Sequence, residues 1–396
     1  MKNINWVITL IVLITVVFCW QGCQEKEEER VFGGLLSDAK VAATYEMVNG
    51  DSVLVLDQAK LDNRIRRIPI DSLVDSLQLV RLENSDQALV KGEHIFVSEN
   101  YIAIKSESYV KLFRRDGTYV SNIAKAGNGP NEFLISIYDG IIDEKNDRIY
   151  FIPPMGNKIL ITDLKGEPQE SIPLPCRVTK TRFRIDQERG EVTLLMLPFE
   201  DKVKSVIWVQ DFEGNIIQEV DAKNYTVFPD YSNDLFSRQN TEALDCHIRE
   251  TTVNIDTLYH YSRLENRLVP RMTIRFANEE SSFLHVYTEL PLYYIIWESK
   301  PWHETSYNKV IFVDKTTLQA SYVRVVSAEM GEFRSWMFER GRFISAMNPY
   351  VLIEQIDKML SEKTTSLNQK DRERALKLRQ SLDEDDNDYI AIGKVR

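Results

Sequence analysis

The sequence predicts an all-β fold, a six-bladed β-propeller with a C-terminal helical appendage. A turn signal recurs about every fifty residues, at Asp116-Gly117, Lys165-Gly166, Glu213-Gly214, Glu265-Asn266 and Lys315-Thr316, and a fixed period of this size marks propellers and solenoids. Each turn separates two short runs of β-branched and aromatic residues, the signature of a hairpin. No helical period interrupts these runs until about residue 350.

Taken in chain order, residues 31–63 form a weakly patterned lead-in with one strand signal at Ser52–Leu56. The first unit carries strand signals at Leu77–Leu82, His94–Val97, Tyr101–Lys105, Val110–Phe113 and Tyr119–Ile123. Arg148–Ile152, Lys158–Thr162 and Glu170–Leu174 make the next, and Thr181–Ile185, Glu191–Leu195, Ser205–Val209 and Ile216–Val220 another. Two further units run from Thr252 to Phe276 and from Tyr293 to Val325. Arg334–Phe338 and Gly341–Ile344 begin a sixth that is too short to stand alone. A strand within Arg66–Ile70 is therefore expected to complete it and close the ring, leaving no long exposed edge. Beyond Pro349, apolar residues return at helical spacing (Leu352, Ile356, Met359, Leu360, then Ala375, Leu378, Leu382), which predicts a helical hairpin over about 350–383 outside the ring. Asn368 is placed to cap its second helix. Residues 389–394 follow as a closing strand, so the propeller is expected to span 64–396.

The N-terminus has a different character. After Lys2, residues 3–24 carry no charge, and Trp6–Phe18 is apolar, which describes a secretory signal over residues 1–22. Gly22-Cys23 resembles the end of a lipobox, which implies lipidation of Cys23, although Trp20 and Gln21 stand where a lipobox has an aliphatic and a small residue. About 20 uncharged residues could also serve as an uncleaved anchor. Either arrangement exports the body and ties it to a membrane. The acidic run Gln24–Arg30 reads as a solvated tether over 23–63, and it also resembles the stretch that routes some lipoproteins to the outer face of the outer membrane.

Composition narrows the function classes. The chain has 49 basic and 60 acidic residues, a formal charge of −11 spread along its length. Nucleic-acid binding needs a concentrated basic stripe, so such a partner is not expected. Of four cysteines only Cys176 and Cys246 lie in the mature body, and two isolated cysteines read as buried small residues rather than a disulfide framework. The five histidines lack metal-ligand spacing, and no Gly-x-Ser-x-Gly elbow is present. No catalytic residue, metal or cofactor is nominated.

Two segments offer ligand contacts. Gly127, Gly129 and Glu132 lie in Gly127-Asn-Gly-Pro-Asn-Glu132, which could present backbone N–H groups and a carboxylate to a ligand, or could serve only as a tight crossing between blades. Trp302 and His303 sit in a loop after Tyr293–Ile296, where aromatic rings could stack on sugar faces; the neighbouring Tyr293 and Tyr294 read as core.

Lys111-Leu-Phe with Asp116-Gly-Thr-Tyr-Val120, the segment Ala126–Phe133, and Asn387–Lys394 together resemble the six-bladed β-propeller lipoproteins of Bacteroides-type bacteria, over about Pro69 to the C-terminus. Asp388 replaces a proline expected in the closing strand. The resemblance implies an exported propeller and supplies no catalytic residues. The expected function is a non-catalytic binding or assembly module for a glycan, a peptide or an envelope protein; the alternative is a propeller lyase or hydrolase acting on polysaccharide or peptide. Cys23→Ala should abolish fatty-acid labelling and membrane partitioning of the expressed protein, as read by metabolic labelling and fractionation; retained labelling would rule out the lipoprotein reading.

Overall fold

Strands such as Arg148–Ile152, buried at four consecutive residues, are apolar on both faces and so need a packed neighbour on each side. A ring of sheets meets that need. The computed structural model describes residues 34–396 apart from 91–93, 130, 135, 200–202, 252–256, 278–283, 300–308 and 362–366.

Five blades are continuous in the chain, each built on four consecutive antiparallel strands. Blade 1 comprises His94–Val97, Tyr101–Ser106, Tyr109–Arg114 and Tyr119–Lys125, and blade 2 Asp139–Asp143, Arg148–Ile152, Lys158–Thr162 and Pro168–Pro173. Blade 3 comprises Thr181–Asp186, Glu191–Met196, Ser205–Asp211 and Ile216–Asp221. Blade 4 has Asp234–Phe236, Asp245–Arg249, Thr257–Ser262 and Arg267–Arg275, and blade 5 Leu284–Glu289, Tyr293–Ser299, Lys309–Asp314 and Gln319–Ser327. A composite sheet completes the ring: Met337–Glu339, Arg342–Met347 and Tyr389–Val395 from one end of the chain pair with Val74–Arg81 from the other.

These facts correct the six-bladed expectation in three respects. Five blades, not six, are repeat units, and the remaining sheet is assembled from both chain ends. Its last strand is Val74–Arg81, whereas Ile65–Pro69 runs parallel to Tyr322–Val326 at the edge of blade 5. The single turn at Ile70–Ser72 separates the two and hands the chain from one sheet to the next. Thirdly, the helices α1 (Pro349–Ser361) and α2 (Gln369–Ser381) are an insertion between Arg342–Met347 and Tyr389–Val395 rather than an appendage. Leu352, Ile353, Ile356 and Ala375 belong to the same core as Phe338 and Phe343. Asn368 does cap α2, accepting from Asp371 N at 2.9 Å.

Residues of the lead-in also join the sheets. Ala43–Val48 and Asp51–Asp57 form a hairpin on the outer edge of blade 4, and Lys40–Val41 pairs with blade 5. Arg267 Nη1 and Nη2 grip Asp51 at 2.7 and 2.8 Å, fixing that hairpin. Apolar clusters fill every interface in turn: blades 1 and 2 around Phe133 and Phe151, 2 and 3 around Phe183 and Trp208, 3 and 4 around Ile207 and Cys246, 4 and 5 around Leu54 and Tyr287. The composite sheet packs on blade 5 through Phe343 and on blade 1 through Ile390 and Ile392. Cys246 is buried as expected; Cys176 is exposed, and both are free thiols.

The recurring turn has one structural job. Each joins the third and fourth strands of its blade and lands on the outermost strand of the blade before it. A Cβ on Gly117 would lie 1.9 Å from Arg81 O, on Gly166 2.7 Å from Asn122 O, and on Gly214 3.2 Å from Pro173 O. All three have φ near +90°, which glycine adopts at little cost. In blade 4, Asn266 at φ 50° sends its side-chain amide to Glu219 O at 2.8 Å. In blade 5, Leu318 at φ 60° accepts from Ala42 N and Ala43 N, on the hairpin that edges blade 4.

Gly117→Ala should therefore lower stability in urea denaturation by clearly more than Gly190→Ala. Gly190 also has a positive φ of +66° but nothing within 4 Å of its would-be Cβ, so its substitution should cost only about 1 kcal/mol. Equal losses would show that the close approach to Arg81 is unimportant.

Candidate functional site

The opening strands of blades 1 to 4 touch one another in turn, and Asp245–Arg249 of blade 4 meets the opening strand of blade 5, around the centre of the ring. Hydrogen bonds between sheets that are not ring neighbours must cross that centre, and several do. Arg340, from the composite sheet, places Nη2 2.9 Å from both carboxylate oxygens of Asp139 in blade 2. Arg238, following the first strand of blade 4, donates from Nη1 to Glu339 Oε2 at 3.0 Å, and Asn240 Nδ2 donates to Phe338 O at 3.1 Å. Asp139 is fully buried and also accepts from Gly140 N at 2.9 Å and Phe183 N at 3.1 Å.

Local sequence explains this placement. In Thr181–Asp186 the apolar Phe183 faces the packed interface with blade 2, so the flanking arginines are left for the other side. Arg184 donates to Gln239 Oε1, Glu242 O and Ala243 O. Arg182 donates from Nη1 to Tyr138 O at 2.6 Å and lies over the Tyr138 ring at 4.7 Å. The Tyr138 hydroxyl donates to Asp234. Arg249 and Lys180 approach the same carboxylate loosely, at 3.9 and 4.0 Å, and Lys180 also donates to Tyr231 O and Asn233 O. Phe236 packs between Arg238 and Arg249, 5.5 and 5.2 Å from its ring centroid.

The cluster thus holds six formal cations (Lys180, Arg182, Arg184, Arg238, Arg249, Arg340) against five carboxylates (Asp139, Asp230, Asp234, Asp245, Glu339), a surplus of one positive charge. In a chain of net charge −11 this surplus is local. Burial alone would raise the Glu339 carboxyl, but Arg238, Arg182 and Arg340 hold it below the ordinary glutamate value. Burial raises the Asp245 carboxyl despite backbone donors from Arg238 and Gln239. Burial, reinforced by Asp234, also pushes the Tyr138 phenol up. Phe228 and Tyr231, 58 % and 69 % exposed, stand on the loop beside Lys180.

Of the residues nominated from sequence, the described ones, Gly127, Gly129 and Glu132, lie outside this cluster. Gly127, Gly129 and Glu132 join blade 1 to blade 2, where Glu132 Oε2 accepts from Gly129 N at 2.8 Å and Gly127 N donates to Phe133 O at 3.0 Å. The carboxylate folds into its own loop, and a Cβ on Gly127 would meet Glu132 Oε2 at 1.9 Å. Trp302, His303 and Cys23 lie outside the described residues. Tyr293 and Tyr294 are buried, as their strand pattern suggests. Sequence reasoning passed over the central arginines; the alternation Thr181-Arg-Phe-Arg-Ile185 at the start of a blade was the available signal.

The sequence model of DUF4934, a domain of unknown function, matches residues 53–394. No curated protein matches. Among solved structures, a candidate exported protein of Bacteroides fragilis aligns over 84 % of this chain and 100 % of its own, with 15 % identity and a TM-score of 0.58, a likeness of fold. A member of the DUF4221 family from Bacteroides vulgatus aligns over 82 % of this chain and 98 % of its own, with 11 % identity and a TM-score of 0.42.

Removing one partner of a buried ion pair leaves the other charge uncompensated, at about 3–5 kcal/mol. Arg340→Ala should therefore destabilise the fold by an amount in that range in chemical denaturation, whereas Arg324→Ala, whose pairing with Glu332 is at the surface, should change stability by less than about 1 kcal/mol.

Proposed function

The chain belongs to the DUF4934 family, and we propose that it is a binding or assembly module of the cell envelope, anchored in the outer membrane through a lipid on Cys23. Its ligand is a glycan, a peptide or an envelope protein that docks on the ring face around the central cluster. The observation that carries this reading is the cluster itself. Three blades and the composite sheet converge charged side chains on one place, where the exposed Phe228 and Tyr231 stand beside them. Aromatic and arginine side chains are the groups that most often anchor a partner.

The alternative, a lyase or hydrolase, would use a tyrosine or carboxylate as proton acceptor. Tyr138 is the phenol nearest the arginines, and burial together with Asp234 raises its pKa. A general base works best with a pKa near the working pH, so this environment favours recognition over proton abstraction. Export of this chain is supported by its N-terminal signal and accords with the description of the Bacteroides fragilis fold relative.

A pull-down from native envelope with the lipidated protein tests the reading. Wild type should retain a saturable partner, and the Phe228→Ala/Tyr231→Ala double variant should lose at least tenfold of that retention while keeping its melting temperature. Undiminished capture by the double variant would place the docking surface elsewhere.

A further inference from the structure

Arginine is a planar donor suited to carboxylate and phosphate, and its strongest hydrogen bonds are to oxyanions. The central cluster contains more such donors than its own acceptors use. Among the described residues, the buried Nε atoms of Arg182, Arg238, Arg249 and Arg340 have no hydrogen-bond partner. Buried polar atoms are nearly always bonded, and an exception points to an ion, a water or a functional role.

Two of these four nitrogens, on Arg182 and Arg249, belong to the side nearest Phe228 and Tyr231. There Lys180 and Arg249 reach one carboxylate, Asp234, only loosely, and it also takes the Tyr138 hydroxyl. Arg182 makes no ion pair with it: its guanidinium donates to a single backbone carbonyl and lies over the Tyr138 ring. Arg249 is likewise held over Phe236, with one donor on Ser232 O at 3.1 Å. Packing over these rings restricts both side chains in advance, so less side-chain freedom remains to be lost when an acceptor arrives. Arg340 and Arg238 are already engaged by Asp139 and Glu339, the carboxylates that also act on Arg182.

We propose that Lys180, Arg182 and Arg249, with Tyr138 and Phe236 as stacking supports, form an oxyanion site that takes a carboxylate or phosphate group on the ligand. The inference rests on the binding-module reading and deepens it: the ligand is acidic, a uronate-bearing or phosphorylated molecule. The surplus charge supplies attraction, and salt weakens it.

The test uses the full chain, titrated separately with inorganic phosphate and with D-glucuronate against chloride at matched ionic strength, reading melting temperature and calorimetric heat. A saturable response to either anion in the millimolar range supports the site, and which anion responds identifies the group it takes. Arg182→Gln/Arg249→Gln should weaken that response at least tenfold, and Arg182→Lys, which keeps the charge but not the planar fork, should weaken it by less. A saturable response that the double variant retains, or none in wild type, overturns the site. The wild-type titration stands even if the double variant fails to fold. Partner capture from envelope without any anion response would overturn the oxyanion site and leave the binding module standing; an anion response without capture would do the reverse.

Discussion

The pairing of Val74–Arg81 with Tyr389–Val395 is the constraint on which the rest of the fold depends. Each continuous blade is apolar on both faces, so the row of five is stable only when its two ends are covered. Closing a loop of about 300 residues costs on the order of 5 kcal/mol of chain entropy. Burial of Val80, Leu82, Ile390 and Ile392 against blade 1 offsets it, at ~1.5–3 kcal/mol for each large side chain. Asn387 adds a polar lock just before the last strand. It is 3 % exposed, accepts from Val90 N at 3.0 Å, and donates to Glu83 O and Ala88 O at 2.9 Å.

The centre of the ring follows another logic. Buried ion pairs give little net stability, because withdrawing charge from water costs about as much as the pairing returns. A plug of leucine and phenylalanine would fill the same space with fewer penalties. The centre instead holds six cations, five carboxylates and several unbonded guanidinium nitrogens. Such an arrangement is hard to account for as a stabilising core and easy to account for as a recognition surface. Phe183, Tyr138 and Phe236 hold the charges in place from behind.

Local signals carried most of the fold. Gly117, Gly166 and Gly214 mark their turns because the backbone there needs positive φ and close approach, a requirement visible one residue at a time. The strands around them and the apolar stripe of α1 are equally local. The closing strand was not legible in this way: Ile65–Pro69 and Val74–Arg81 are both plausible strands, and only tertiary contacts decide which one meets residues 389–395. The candidate site was the least legible part. Asp139 and Arg340 are 201 positions apart, and each looks in sequence like an ordinary polar residue at the end of a strand. The glycine loop at 127–132 attracted notice for its composition, yet its carboxylate is used within the loop. Composition shows that a turn is special without showing whom it serves.

The turn that lands on the preceding blade gives the ring a direction, like overlapping tiles. For blades 2 to 5 the landing strand belongs to a blade already synthesised, so each hairpin can seat as it emerges. Blade 1 is the exception. Gly117 O accepts from Glu83 N at 2.9 Å, just past Val74–Arg81, a strand whose only sheet partner among the described residues is Tyr389–Val395. The first blade made is consequently the last to be secured, once Tyr389–Val395 has taken its place beside Val74–Arg81.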